Sequence, residues 1–150
     1  MGGGPAGMEA ARVAALRNHQ VMLVERERQL GGSVSTVAAA IPRLYTRDLN
    51  NIVDYLVVQM EKLGVRIEVG REATPQLIEE LKPDVVIVAT GARPSVPAIP
   101  GVQQRHVLTL DDYLKGKGTA GNRVVIVGGQ PGCEGAVSLS REGIAVTILE

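Results

Sequence analysis

The residues that could do chemistry come first in the chain. Gly2-x-Gly4-x-x-Gly7 is followed by Glu25, eighteen residues beyond the last glycine. In a strand–turn–helix unit, the first glycine permits the tight turn and the second lets the backbone approach a pyrophosphate. The third lets the helix pack close to the sheet. Phosphates then lie over the helix N-terminus, where free N–H groups and the macrodipole favour negative charge. A glutamate at the next strand end accepts hydrogen bonds from ribose hydroxyls. A bare glycine pattern also suits a flexible tail. Here the helix, strand and acid stand at the right distances and select a dinucleotide loop.

These residues need elements to position them. Met8–Arg17 carries Ala10, Val13, Ala14 and Leu16, a small-residue packing face that predicts a helix. Val21–Val24 is a continuous apolar run ending at Glu25, as expected of a buried parallel strand. The stretch 26–43 reads as irregular, broken at Gly31-Gly32. Apolar periodicity predicts a helix over 47–63, with Gly64 after its end. A short strand follows over 65–69, a helix over 75–81 and a second buried strand over 84–89. Pro94, Pro97 and Pro100 mark a crossover. A short helix over 109–114, a strand over 123–127, a helix over 134–141 and a strand over 145–149 complete the reading. Strand–turn–helix–strand logic thus occurs twice, about 125 residues apart, and the first copy lacks its opening strand.

Length and composition narrow the class. One hundred and fifty residues suffice for one doubly wound α/β domain. Sixteen basic residues balance sixteen acidic ones, which argues against a nucleic-acid partner. Three tyrosines and no Phe or Trp leave an aliphatic core and no stacking platform. Cys133 is the sole cysteine, so the chain makes no internal disulfide, CxxC pair or cysteine zinc site. No signal peptide or membrane span is read, and the chain is expected to be cytoplasmic. His19, His106, Asp111-Asp112 and the Glu79-Glu80 cluster read as capping or solvated residues, with no metal site and no catalytic acid or base.

The segment GGGPAGMEAARVAALRNHQVMLVERERQLGG resembles the FAD-binding start of the pyridine nucleotide-disulfide oxidoreductase superfamily. With the ATG element at 89–91 and the connector HVLTLDDYLKGK, the chain is similar to the C-terminal part of 2-enoate and 2,4-dienoyl-CoA reductases, NADH:flavin oxidoreductases related to trimethylamine dehydrogenase. The resemblance implies a Rossmann-like, three-layer, doubly wound parallel sheet with the first strand of its FAD lobe missing. Residues 1–94 would be a partial FAD lobe and 95–121 a crossover and linker. Residues 122–150 would begin an NAD(P) lobe, packed into one unit with the first or separate from it.

By position, the resemblance implies that Gly2, Gly4, Pro5, Ala6 and Gly7 line the FAD pyrophosphate. Glu25 and Arg26 would contact the adenosine ribose, and Gly31-Gly32 would lie along the cofactor. Ala73 would offer its backbone to adenine, while Ala89-Thr90-Gly91 would pass close to FAD. VVIVGGQPGCEGAVSLSREGIAVTILE is similar to the start of the nicotinamide lobe, with Gly128, Gly129 and Gly132 as its phosphate turn. Glu150 would be its ribose acid, and an acid there favours NADH over NADPH. This turn departs from GxGxxG. First to third glycine spans four positions rather than five, Gln130 stands in the second-glycine place, and the loop reads as one residue short.

The implied activity is electron transfer from NAD(P)H through FAD. FMN and an iron–sulfur cluster in a missing N-terminal barrel would then reduce an activated C=C bond. The alternative is a non-catalytic dinucleotide-binding or structural domain without turnover of its own, or a regulator using only the second unit. An absent central strand would leave the edges at 21–24 and 85–88 open. Arg123–Val127 is expected to fill that slot within the chain, or between two chains as a homodimer.

Overall fold

The computed structural model describes residues 1–40 and 46–149. The chain divides into two compact units, Met1–Ala92 and Arg93–Glu150. Both are α/β units with parallel strands.

The first unit opens on helix α1 (Pro5–Leu16), with Gly4 as its N-cap. Pro5 at the first helical position has a fixed φ and no N–H to satisfy, so the helix starts three residues ahead of the expected Met8. Strand β1 (Met22–Glu25) follows, paired in parallel with β2 (Arg66–Val69). Between them lie α2 (Gly32–Ala40) and α3 (Thr46–Lys62), and α4 (Pro75–Leu81) comes after β2. Thr74 caps α4 by accepting from the Leu77 N–H at 3.2 Å.

Helix α2 corrects the reading of 26–43 as irregular; residues 41–45 of that stretch lie outside the described residues. Serine, threonine and valine are weak helix formers, which hid it. The structure compensates locally: Ser35 Oγ donates to the Leu30 carbonyl at 3.2 Å, and Ala38 is buried. The core joins α1, β1 and α3 through Met8, Ala11, Leu23, Val53, Leu56 and Met60, with Val65 just ahead of β2. Met8 and Met60 are its largest fully buried side chains.

The strand expected over 84–89 does not form a ladder. Its backbone is tied only at one end, where the Met1 amino group donates to the Ile87 carbonyl at 2.7 Å and the Ala89 N–H donates to the Met1 carbonyl at 2.8 Å. Met1–Gly2 also reaches β1, through the Gly2 N–H to the Val24 carbonyl at 2.9 Å. An extended segment counts as sheet only where a partner runs alongside it. Beyond Met1 none is found among the described residues, and Val85 is left 75% exposed.

The second unit holds α5 (Leu110–Leu114), β3 (Arg123–Val127), α6 (Gln130–Arg141) and β4 (Ala145–Leu149). The expected insertion of 123–127 beside β1 is not found within the chain. β3 pairs in parallel with β4 in its own two-stranded sheet, because α6 returns the chain directly alongside it. Helix α6 also begins four residues before the expected Glu134, inside the glycine turn, with Pro131 in its first turn. Among the described residues no helix is long and apolar enough to cross a membrane.

Candidate functional site

Most residues nominated in the first unit converge on the turn ahead of α1. Gly2 has φ +100°, and a side chain there would place its Cβ 2.2 Å from the Ala89 carbonyl oxygen. Gly7 is equally constrained: a Cβ would lie 1.9 Å from the Gly2 carbonyl oxygen. Gly4 differs, because a Cβ there would meet nothing within 4 Å. The first and third glycines are therefore required by the protein's own backbone, and the second faces open space.

That open side lies at the helix N-terminus. The Gly4 carbonyl takes its bond from the Met8 N–H at 3.0 Å, leaving the N–H groups of Ala6 and Gly7 without an acceptor inside the helix. No acidic side chain occupies the first turn of α1. The arrangement suits an anion.

Glu25 ends β1 beneath this turn and is 8% exposed. Its carboxylate accepts from the Gly3 N–H at 2.5 Å and from the Glu27 N–H at 2.7 Å. Gly3 in turn accepts from the Gly31 N–H at 2.8 Å, and a Cβ on Gly32 would come 3.2 Å from the Gly4 Cα. Gly31-Gly32 thus lies against the loop. Ala89-Thr90 abuts it from the other side, as the close approach to Gly2 shows. Gly91 follows, with φ +76° and open space where its Cβ would be.

Two nominated residues sit further out. Arg26 is exposed and ion-paired to Glu27 at 3.5 Å. Ala73 is half-buried two residues past Arg71, whose N–H donates to the Glu25 carbonyl at 3.0 Å. Nearby, hydrogen bonding from Arg71, with the charge of Arg66, holds the Glu68 carboxyl below its ordinary pKa. Desolvation lowers the pKa of the Met1 amino group, while the negative charge of Glu25 pulls the other way. An open groove of about 540 Å³ lies between the segment after β1 and α3, lined by residues including Arg28, Leu30, Asn50, Val53 and Asp54. No nominated residue lines it, although its lining residues Leu30 and Ser35 pack against Gly3 and Gly31.

Sequence reasoning missed Gly3 and the backbone of Glu27. A spacer position in GxGxxG carries no residue-type signal for an N–H that is turned inward.

The second turn reproduces the first with one residue fewer. The Gly128 N–H donates to the Leu149 carbonyl at 3.0 Å, just as Gly2 does to Val24. Gly129 is the N-cap of α6, as Gly4 is of α1. Gly132 stands three residues into its helix, as Gly7 does, and its Cβ would lie 2.9 Å from Ile126 Cγ2. Gly129, not Gln130, therefore takes the second-glycine place; Gln130 is the first helical residue. The residue without a counterpart is Gly3. The tighter turn also uses a donor, since the Gly132 N–H goes to the Gly129 carbonyl at 2.9 Å. Glu150 lies outside the described residues.

Residues 1–150 match the family model described as pyridine nucleotide-disulphide oxidoreductase. The chain belongs to that family. Membership places it among oxidoreductases that use a flavin and a pyridine nucleotide. Among curated relatives, it is 39% identical over 151 residues to a bilirubin reductase of Mediterraneibacter gnavus, covering 100% of this chain and 23% of the relative. It is 38% identical to an NADH oxidase of Thermoanaerobacter brockii (100% and 23%) and 38% identical to a cinnamate reductase of Clostridium sporogenes (100% and 22%).

Among solved structures, 2-naphthoyl-CoA reductase in complex with 2-naphthoyl-CoA superposes with a TM-score of 0.89 at 37% identity, over 98% of this chain and 22% of that one. The chain therefore spans less than a quarter of the length of these relatives. With one cysteine, it contains no dithiol pair of the kind for which this oxidoreductase family is named.

Proposed function

We propose that this chain is the dinucleotide-binding part of a flavin-dependent oxidoreductase, with the first unit holding the ADP half of FAD. The observation that carries the reading is the open face of Gly4. The pyrophosphate would lie there, over the unpaired N–H groups of Ala6 and Gly7, with Glu25 accepting from the ribose. Gly31-Gly32 and Ala89-Thr90-Gly91 would flank the cofactor, and the backbone of Ala73 would meet adenine. When bound, the flavin supplies the redox chemistry. The residues of this chain bind and orient it, and none is assigned to proton transfer.

The finer reading extends beyond this chain. The two-stranded β1–β2 sheet, the Met1–Gly2 bonds on both its sides and the exposed run at 85–88 support a doubly wound sheet whose central strand precedes Gly2. The second unit would start the nicotinamide lobe, with Glu150 favouring NADH over NADPH. The reductases among the relatives support a reductive role; reduction of an activated C=C bond, with FMN and an iron–sulfur cluster in a barrel outside this chain, extends that reading. By itself the chain would bind dinucleotide without turnover. Its open strand edges would favour a homodimer in the cytoplasm.

Calorimetric titration with ADP and FAD tests the central claim. Both ligands are expected to bind, and Gly4→Ala is expected to lose at least tenfold affinity while keeping its far-UV circular dichroism. Wild-type protein that takes up neither ligand, and stays colourless after reconstitution with FAD, would refute it. Preference for NADH over FAD would instead favour a regulator built on the second unit.

A further inference from the structure

We infer that Glu25 is a positioning residue that sets the orientation of the phosphate loop, over and above any contact with ribose. The inference rests on the dinucleotide reading of the site for its ligand, though its geometry stands on the free protein.

A carboxylate that is 8% exposed needs donors, and Glu25 has taken two from backbone: Gly3 N–H on Oε2 and Glu27 N–H on Oε1. An ionised carboxylate has about four lone-pair sites, so both oxygens can still accept from ribose hydroxyls. Binding and positioning do not compete.

The Gly3 bond propagates. With its N–H fixed on Glu25 and its carbonyl fixed by the Gly31 N–H at 2.8 Å, the Gly3 residue is held from both sides. Its Cα is also boxed in, since a Cβ would lie 2.5 Å from Leu30 Cδ2 and 3.0 Å from Glu25 Cβ. Orienting Gly3 orients the peptide that follows, and so the N-cap Gly4 over which the anion would sit. One side chain thereby ties the turn before α1 to the segment after β1 and to the Gly31-Gly32 bend.

The second unit supplies an internal comparison. It keeps the strand-to-turn bond and the N-cap glycine but lacks the Gly3 counterpart, the one residue whose N–H makes this link in the first unit. Its turn closes on itself through Gly132 to Gly129.

The test separates positioning from ribose binding by using a probe that has no ribose. In Glu25→Gln the side chain keeps its length but has one accepting oxygen, and its NH₂ confronts one of the two N–H donors. The expected result is at least tenfold faster amide exchange at Gly3 in the free protein. Affinity for inorganic pyrophosphate and for ADP should fall by similar factors, about tenfold each. Loss of ADP affinity with pyrophosphate binding unchanged would overturn the inference, because the carboxylate would then act through ribose alone. Unchanged Gly3 exchange in the variant would overturn it as well.

If the variant does not fold, the wild type decides. Gly3, bonded to Glu25, should exchange at least tenfold more slowly than its neighbour Gly4, and equal rates would refute the claim. A wild type that binds neither pyrophosphate nor ADP would refute the proposed function, and the exchange rates would still decide the role of Glu25.

Discussion

Replacing Gly7 by alanine tests whether the third glycine is demanded by packing. The new methyl carbon would lie 1.9 Å from the Gly2 carbonyl oxygen, 3.0 Å from the Gly2 carbonyl carbon and 3.3 Å from Ala89 Cβ. An ordinary carbon–oxygen contact needs more than an ångström beyond that first distance, and the obstacle is backbone. Either the start of α1 lifts from Met1–Gly2, or that segment moves and strains its bonds to Val24 and Ala89. Overpacking costs about 1–3 kcal/mol, and each hydrogen bond lost adds about 1 kcal/mol. Alanine returns up to about 1 kcal/mol of helix propensity. The net expectation is a destabilisation of about 2–4 kcal/mol. Gly132→Ala is the comparison, since its Cβ meets the Ile126 Cγ2 methyl at 2.9 Å and no backbone, so its penalty should be the smaller of the two. Urea unfolding followed by far-UV circular dichroism, with amide exchange at Leu23 to isolate the first unit, reads both variants. A Gly7→Ala protein within about 0.5 kcal/mol of wild type, or one less affected than Gly132→Ala, would refute the steric argument.

Inserting one glycine between Gly128 and Gly129 should restore the spacer and improve NADH binding by the second unit, seen as an increase in NADH fluorescence titration; no change would mean the short turn is not what limits it. Met60→Ala removes a side chain with no exposure and should cost about 2–5 kcal/mol in urea unfolding. Asp112 is held below its ordinary pKa of 3.8 by hydrogen bonds from Lys117 and then from Thr109. A carboxylate with a depressed folded pKa stabilises above its unfolded value, and that contribution is lost as pH falls through the lower folded value. Carboxyl NMR titration should therefore place Asp112 below 3.8, and Thr109→Ala should raise it.

The elements were legible where the pattern was local and long. The 3.6-residue apolar period predicts α3 within a residue at each end, and the β-branched runs predict β3 and β4 at their observed limits. Helix α2 was hidden because Ser33, Ser35 and Thr36 read as loop, and its support comes from packing and from the Ser35 bond to Leu30. The run at 85–88 reads as a strand for the converse reason. Its composition is right, but strand formation depends on a neighbour that composition cannot supply.

The site divides in the same way. Gly2, Gly4, Gly7 and Glu25 announce themselves by residue type and spacing. Gly3 does not, because its contribution is an N–H that every residue but proline possesses. The offset of the second turn was visible as a missing position. Which position was missing emerged only from the strand bond of Gly128 and the N-cap at Gly129.

Met8 adjoins Gly7 in the first turn of α1 and is fully buried. A thioether at that place is a chemical clock for the loop. Peroxide converts methionine to the sulfoxide, a polar group the apolar core cannot accommodate, and it reaches Met8 only when α1 lifts away from β1. The rate of that oxidation, followed by mass spectrometry, reports how often the start of α1 opens.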